Sequence, residues 1–209
     1  MDSILFKKNL KKYYNTEANL RNKYVMEEWK IRIRDNFYNL IKSENKVTLL
    51  ELGAGVGYDS QFFLNNGLTV VATDISSEMV KSCKEKDIET YELDFYNLSK
   101  LSKRFDCIWA MNTLLHVPKA DLPKVLNEIN SVLNENGLFY MGVWGGEDFE
   151  KEYVKVEVSS SPRFFSYHSE SKLKTTLGKH FQLVSFEQFD VEKEDKTKDT
   201  FQSIIMRKM

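Results

Sequence analysis

Glu51, Gly53, Gly55 and Gly57 close the stretch that begins Val47-Thr48-Leu49-Leu50-Glu51-Leu52, an acid followed by three glycines on alternate positions. Glycines directly after an apolar strand permit a tight turn in which backbone amides approach a ligand closely. Spacing and charge decide which ligand. A dinucleotide fingerprint needs G-x-G-x-x-G, and its third glycine would fall at Tyr58, so that pattern fails. No G-K-[ST] follows to supply a phosphate-binding lysine. The Glu51 carboxylate would repel a pyrophosphate cradled by the loop, so a cationic ligand suits it better. A strand, turn and helix holding no ligand is the bland alternative.

Two further acids stand where strands end. Asp74 closes Leu68-Thr69-Val70-Val71-Ala72-Thr73-Asp74, 21 residues beyond Gly53. An ionised carboxylate there can accept from both hydroxyls of a ribose, although alone it would read as a solvated strand-end acid. Asp94-Phe95, after Ile88 to Leu93, offers an acceptor and a flat apolar wall of the kind an adenine ring needs. A loop aspartate capping the next turn explains Asp94 equally well. His116, in Asn112-Thr113-Leu114-Leu115-His116-Val117-Pro118, follows the fourth strand and is a candidate general base. A histidine fixing its loop through a backbone hydrogen bond is the competing reading.

These residues need a scaffold that gathers strand ends. Helical spacing of Val25, Trp29, Ile33, Phe37, Leu40 and Ile41 predicts a helix over Tyr24 to Ile41. Strands then alternate with helices: Tyr58 to Asn66 after the first strand, Ser77 to Lys86 after the second, and a fourth strand over Asp106 to Met111. That alternation predicts a parallel sheet. Leu122 to Leu133 reads as a helix with Asp121 as N-cap, Pro123 in its first turn and Asn136-Gly137 at its exit. A fifth strand over Gly137 to Trp144 leads through Gly145-Gly146 into a less regular aromatic segment reaching His168. Helix Glu170 to Leu177, strand Phe181 to Phe189, the solvated charged run Glu192 to Asp199 and a last strand Thr200 to Arg207 complete the chain. The final strand pair predicts an antiparallel hairpin at the sheet edge.

The ordered series Leu50 to Gly57, Val70 to Ser76, Asp94-Phe95, Phe105 to Val117 and Gly137 to Trp144 resembles the class I S-adenosylmethionine-dependent methyltransferase family, in its small-molecule type. The resemblance implies an α/β, Rossmann-like doubly wound fold: a mostly parallel seven-stranded sheet, an antiparallel final strand and helices on both faces. It implies one methyltransferase domain over 1–209, with a helical cap at 1–45, a cofactor-binding core at 46–144, and a lid segment plus helix and strand pair at 145–209. It also implies S-adenosylmethionine as cofactor and S-adenosylhomocysteine as product. Glu51, Gly53, Gly55 and Gly57 would then hold the methionine portion, Asp74 the ribose, and Ile75, Asp94 and Phe95 the adenine. Ala110, Met111 and Leu115 would face the sulfonium, and Tyr13 and Tyr14 would close over the cofactor.

The acceptor pocket is expected between the amino-terminal helices and the segment after the fifth strand. Its candidates are Trp144, Arg163, Phe164 and Tyr167, with Arg163 suited to a carboxylate or phosphate; lid packing is the plainer reading of the aromatics. In 209 residues with a net charge of −1, nothing gives a general attraction toward nucleic acid or anionic membrane. Lys7-Lys8 and Lys11-Lys12 read as solvated helix faces. Met111-Asn112-Thr113-Leu114 lacks the Pro-Pro-aromatic pattern of base methylating enzymes, and no Pro-Cys nucleophile is present. Cys83 and Cys107 have neither metal nor disulfide spacing, and no metal is expected. With no secretory or membrane-spanning stretch, a cytoplasmic enzyme acting on a small organic acceptor is the expectation, as monomer or homodimer. The alternatives are a nucleic-acid or protein methyltransferase, a cofactor-binding regulatory protein without transfer activity, and a nicotinamide oxidoreductase.

Overall fold

Unbroken runs of buried apolar residues put the first, second and fourth strands at the centre of a sheet covered on both faces. The computed structural model describes residues 3–22, 25–192 and 196–209. Two helices come first, α1 (Ser3–Arg21) and α2 (Glu28–Ser43). The core then alternates β1 (Thr48–Leu52), α3 (Tyr58–Asn65), β2 (Thr69–Asp74), α4 (Ser77–Lys84), β3 (Glu89–Glu92), β4 (Phe105–Met111), α5 (Leu122–Val132) and β5 (Leu133–Gly145). A hairpin, β6 (Phe149–Lys155) and β7 (Ser159–Tyr167), precedes α6 (Glu170–Leu177), β8 (Phe181–Glu192) and β9 (Lys198–Lys208).

The seven-stranded sheet runs β3-β2-β1-β4-β5-β9-β8. Strands β1 to β5 pair in parallel, and β9 enters antiparallel between β5 and β8. The expected α/β, doubly wound sheet with an antiparallel final strand is therefore present. Strand order reverses between β1 and β4, which opens a crevice beyond their carboxyl ends.

Alternation along the strands divides the core in two. Leu49, Val70, Cys107, Trp109 and Tyr140 pack against Ile33, Phe37 and Ile41 of α2 and Phe63 of α3. Leu50, Leu52, Val71, Ile108, Ala110, Phe139 and Met141 pack against the apolar faces of α5 and α6. Trp109 is the anchor of the first layer: its ring stacks 4.0 Å from Tyr140 and meets Phe37 and Phe63 at 5.3 and 5.6 Å. Burying one such aromatic contributes about 1.5–3 kcal/mol.

Several elements differ from the sequence reading. The helix expected from Tyr24 begins at Glu28 and leaves Val25 in exposed coil, while Tyr24 itself lies outside the described residues. Asp121 precedes α5 without capping it, because its carboxylate accepts the Tyr96 hydroxyl at 3.0 Å instead. The chain turns at Asn136, which adopts a left-handed φ of 58° within β5, and the helix has already ended at Val132. The less regular aromatic segment expected up to His168 is an antiparallel hairpin, in register from Phe149 opposite Tyr167 to Tyr153 opposite Arg163. Its aromatics point to neighbours in the hairpin and in α1, so no alternation against one flat core is visible in the sequence. Part of the charged run, residues 193–195, lies outside the described residues.

Candidate functional site

The crevice floor is the turn from β1 to α3. Gly53, Gly55 and Gly57 all have positive φ, at 64°, 57° and 85°. For Gly53 and Gly57 the need is also steric: a Cβ at Gly53 would overlap Thr113 Oγ1, and one at Gly57 would press on Ile88 and Cys83. A Cβ at Gly55 would meet nothing within 4 Å, so this residue borders open space. Asp74 braces the turn from β2. Its Oδ2 accepts the Gly55 amide at 2.9 Å and its Oδ1 the Ser76 amide at 2.8 Å. Burial pushes the Asp74 carboxyl up to about 6, against those two amides, which pull it down.

Glu51 is buried beneath the turn and accepts a hydrogen bond from Ser60 Oγ. Burial, then the nearby Asp59 carboxylate, hold Glu51 well above the usual carboxylate range. Asp59 itself is tied to the Trp109 indole at 2.9 Å and to Arg34 at 3.3 Å. Ile75 is half-buried beside Asp74. Asp94 lies two residues past β3. Its Oδ1 accepts from the Tyr96 amide at 3.0 Å and from Asn97 Nδ2 at 2.6 Å, and its Oδ2 takes Lys7 Nζ at 2.8 Å. Burial raises its carboxyl, but Lys7, Asn97 and the Tyr96 amide outweigh burial and hold it below the ordinary value. Phe95 is half-buried against the α5 layer, which also takes in Ala110 and Leu115; Met111 packs on the α2 layer.

The cover is made by α1 and β7. Lys7 and Lys11 pair with Asp94 and Glu92; the half-buried Lys7 is an anchor and not merely part of a solvated face, whereas the Lys11 pair stays exposed. Asn15 Oδ1 accepts the Ser76 hydroxyl at 2.6 Å. His116 sits under the cover with both ring nitrogens engaged, its Nδ1 at 2.7 Å from the Phe164 carbonyl and its Nε2 at 2.6 Å from the Tyr14 hydroxyl. A carbonyl only accepts, so Nδ1 carries the proton and Tyr14 donates to Nε2. Burial drives the His116 pKa down to about 3, and the ring is neutral. As placed, it clasps α1 to β7.

The four acceptor-side candidates separate. Arg163 lies over the Tyr13 ring at 4.2 Å and the Phe165 ring at 5.0 Å. Phe164 gives its carbonyl to His116 and its ring to Phe6 of α1 at 6.1 Å. Tyr167 stacks on Phe149 at 4.4 Å within the hairpin. Trp144 joins Trp29 and Phe201 on the α2 side. Two buried polar atoms near the end of β4 and under α1 have no hydrogen-bond partner, Asn112 Oδ1 and Arg163 Nε.

Sequence reading missed the roles of Ser60, Ser76, Thr113, Asn15 and Lys7. Only Ser76 carried a recognisable signal, a serine just before an apolar helix, and it does cap α4 by accepting the Met79 amide at 3.2 Å. Among the described residues no group of three His, Cys, Asp or Glu could hold a metal ion, and no helix is long and apolar enough to cross a membrane.

Residues 49–137 match a family model described as a methyltransferase domain. Mouse mitochondrial arginine-hydroxylase NDUFAF5 is 27% identical over 143 residues, 67% of this chain and 40% of that protein. The malonyl-[acyl-carrier protein] O-methyltransferase of Hamiltonella defensa is 30% identical over 144 residues, 61% of this chain and 55% of that one. The chain thus matches only about two fifths to a little over half of these curated relatives' length. Among solved structures, the 1,6-didemethyltoxoflavin-N1-methyltransferase of Burkholderia thailandensis superposes with a TM-score of 0.73 at 18% identity, covering 99% of this chain and 88% of that one. That likeness shows a shared fold. The family-model match spans the glycine turn and strands β2 to β4, so this segment is similar to a methyltransferase domain, and the structural likeness extends the fold over nearly the whole chain.

Proposed function

We propose that this protein takes a methyl group from S-adenosylmethionine and passes it by in-line displacement to a small organic acceptor, releasing S-adenosylhomocysteine. The observation that carries the reading is the Gly55 turn, held by Asp74 from behind and facing open space in front. A carboxylate has about four acceptor sites. Asp74 uses two, for Gly55 and Ser76, which leaves capacity for the two hydroxyls of a ribose. Asp94 uses three, so it retains one for an exocyclic amine, with Phe95 and Ile75 alongside. Glu51 to Gly57 would take the methionine portion, and Ala110, Met111 and Leu115 the sulfonium side, with Tyr14 above.

When bound, the cofactor supplies a methyl group already activated on a cationic sulfur. The chain's own task is to align the acceptor and exclude water, and alignment alone can lower a barrier by about 7–11 kcal/mol. The cover of α1 and β7 suits that task because it closes over the carboxyl ends of the strands. The same reading puts the protein in a reducing cytoplasm as a monomer or homodimer, with no nucleic-acid or membrane partner.

Titration calorimetry with S-adenosylhomocysteine tests the binding half. Wild-type protein is expected to bind it and to ignore NAD, and Asp74→Ala to lose about 100-fold in affinity as two ribose contacts vanish. Unchanged affinity in that variant, or preference for the phosphate-rich nucleotide, overturns the assignment of the crevice. Release of S-adenosylhomocysteine from S-adenosylmethionine with a small-molecule panel tests the transfer half. Binding without turnover across the panel would point to a regulatory cofactor-binding protein.

A further inference from the structure

Six arginines occur in the chain. Arg21, Arg32, Arg34 and Arg207 each face a carboxylate, and Arg104 is exposed to water. Arg163 is the exception. It is half-buried between β7 and α1, no acid lies within ion-pair distance among the described residues, and its Nε is buried without a partner. A guanidinium does not lose its proton in a protein, so this is a fixed, incompletely satisfied charge. Its planar fork is held over the Tyr13 ring at 4.2 Å and donates toward the Tyr14 hydroxyl, and its field reaches His116, so the fork is partly engaged by the residues that close the crevice while Nε is left over.

The same space lacks a base. Both nitrogens of His116 are engaged. Tyr14 donates to His116, and Tyr13 donates to Glu17 at 3.2 Å. Glu17 is in turn paired with Arg21 at 2.6 Å. Among the described residues under α1, apart from Asp74 and Asp94, whose remaining acceptor sites the cofactor reading assigns to the ribose and the adenine, no side chain is free to remove a proton from an acceptor. A nucleophile that arrives already ionised needs none.

Resting on the methyltransferase reading, we propose that the acceptor is a small organic oxyanion, a carboxylate or phosphonate, held by the Arg163 fork and methylated on oxygen. One oxygen of the group takes the Arg163 hydrogens. A lone pair on the other forms the new bond to the methyl carbon while the carbon–sulfur bond breaks and its electron pair stays on sulfur. One negative charge of the acid and the positive charge of the sulfonium cancel, leaving an ester with one charge fewer and a neutral thioether sulfur, and no proton moves.

The test uses the full chain saturated with S-adenosylhomocysteine for binding and with S-adenosylmethionine for turnover. Benzoate, octanoate, malonate and phenylphosphonate are the probes, each compared with its amide or neutral ester, and phenol, benzylamine and benzyl thiol are the nucleophiles that carry no anionic group at neutral pH. We expect one acid to raise the melting temperature of the loaded protein where its neutral partner does not, and to yield a methyl ester by mass spectrometry, labile to alkali if it is a carboxylate ester and stable if it is a phosphonate ester. Which acid responds separates carboxylate from phosphonate. Arg163→Met should weaken that acid by about 100-fold and Arg163→Lys by about tenfold, with S-adenosylhomocysteine affinity unchanged as proof of an intact crevice. The proposal is overturned by turnover of a phenol, amine or thiol in place of the acids, by an acid response equal in Arg163→Met, or by no acid stabilising the loaded protein. If S-adenosylhomocysteine itself fails to bind, the methyltransferase reading fails, and the acid response of the unloaded protein still reports on Arg163.

Discussion

The floor and the cover of the crevice are built on different principles. Floor contacts are short in sequence: Ser76 and Gly55 reach Asp74 across 2 and 19 positions, and Ser60 reaches Glu51 across 9. Cover contacts are long, with 102 positions between Tyr14 and His116, 87 between Lys7 and Asp94, and 48 between His116 and Phe164. Local contacts form wherever the strand, turn and helix form, so the floor comes with the fold. Long contacts exist only because this chain lays its own helix and hairpin over that fold. The cover is therefore where selectivity for an acceptor can be written without disturbing the floor, and it should also open first.

Two glycine substitutions probe the floor and carry the largest expected effect. Gly53→Ala combines a left-handed residue, at about 1–2 kcal/mol, with displacement of buried Thr113, at about 1–3 kcal/mol. Chemical denaturation should show a loss of about 3 kcal/mol. Gly55→Ala should lose only about 1 kcal/mol, since its Cβ meets no neighbour, yet it should weaken S-adenosylhomocysteine binding because the methyl group enters the open space. Equal stability losses would mean that the floor is not divided into a packed glycine and a ligand-facing one.

Tyr14→Phe tests the cover. It leaves the buried His116 Nε2 without its donor, at about 1–3 kcal/mol, and hydrogen exchange should show α1 losing protection while β1 and β2 keep theirs. Acid should do the same to the wild type. The His116 pKa near 3 lies below its ordinary 6.5, so between those values the opened cover takes up a proton that the closed one cannot. Cover stability is thus complete above pH 6.5 and is lost as pH falls toward 3. Asp74 acts oppositely: raised to about 6 from 3.8, it binds a proton more readily in the folded floor, which gains stability as pH falls from 6 toward 3.8. At pH 5, α1 should exchange faster relative to pH 7, after correction for intrinsic rates, and the floor should not.

The same division decides what could be read from residues alone. The β1 turn announces itself because an apolar run, an acid and three glycines are neighbours in the chain, and Asp74 is found by its place at the next strand end. The terminal antiparallel strand pair was also legible, but not that β9 rather than β8 would lie beside β5. The hairpin β6–β7 was not, since its residues answer to α1 and to each other and show no single buried face. Lys7 looked like one of several solvated lysines for the same reason: its acid partner lies far along the chain. Asp121 carried a capping signal that Tyr96 overrode, a tertiary contact defeating a local preference.

Lys11→Ala should have the smallest effect and sets the lower bound of the comparison. Lys11 pairs with Glu92 as Lys7 pairs with Asp94, and both join α1 to the end of β3. Their surroundings differ. Side-chain exposures are 39% and 45% for the Lys11 pair but 24% and 19% for the Lys7 pair. Water and salt screen an exposed pair, and ordering two long side chains offsets most of the attraction, so its loss should cost less than about 0.5 kcal/mol. Lys7 covers the Tyr96 ring at 3.7 Å as well as holding Asp94, so Lys7→Ala should cost more and should speed exchange in α1. Denaturation of the two variants at low and high salt separates them. If Lys11→Ala matched Lys7→Ala, the cover would be held by summed surface charge and not by the few half-buried contacts that single out Lys7, Tyr14 and His116.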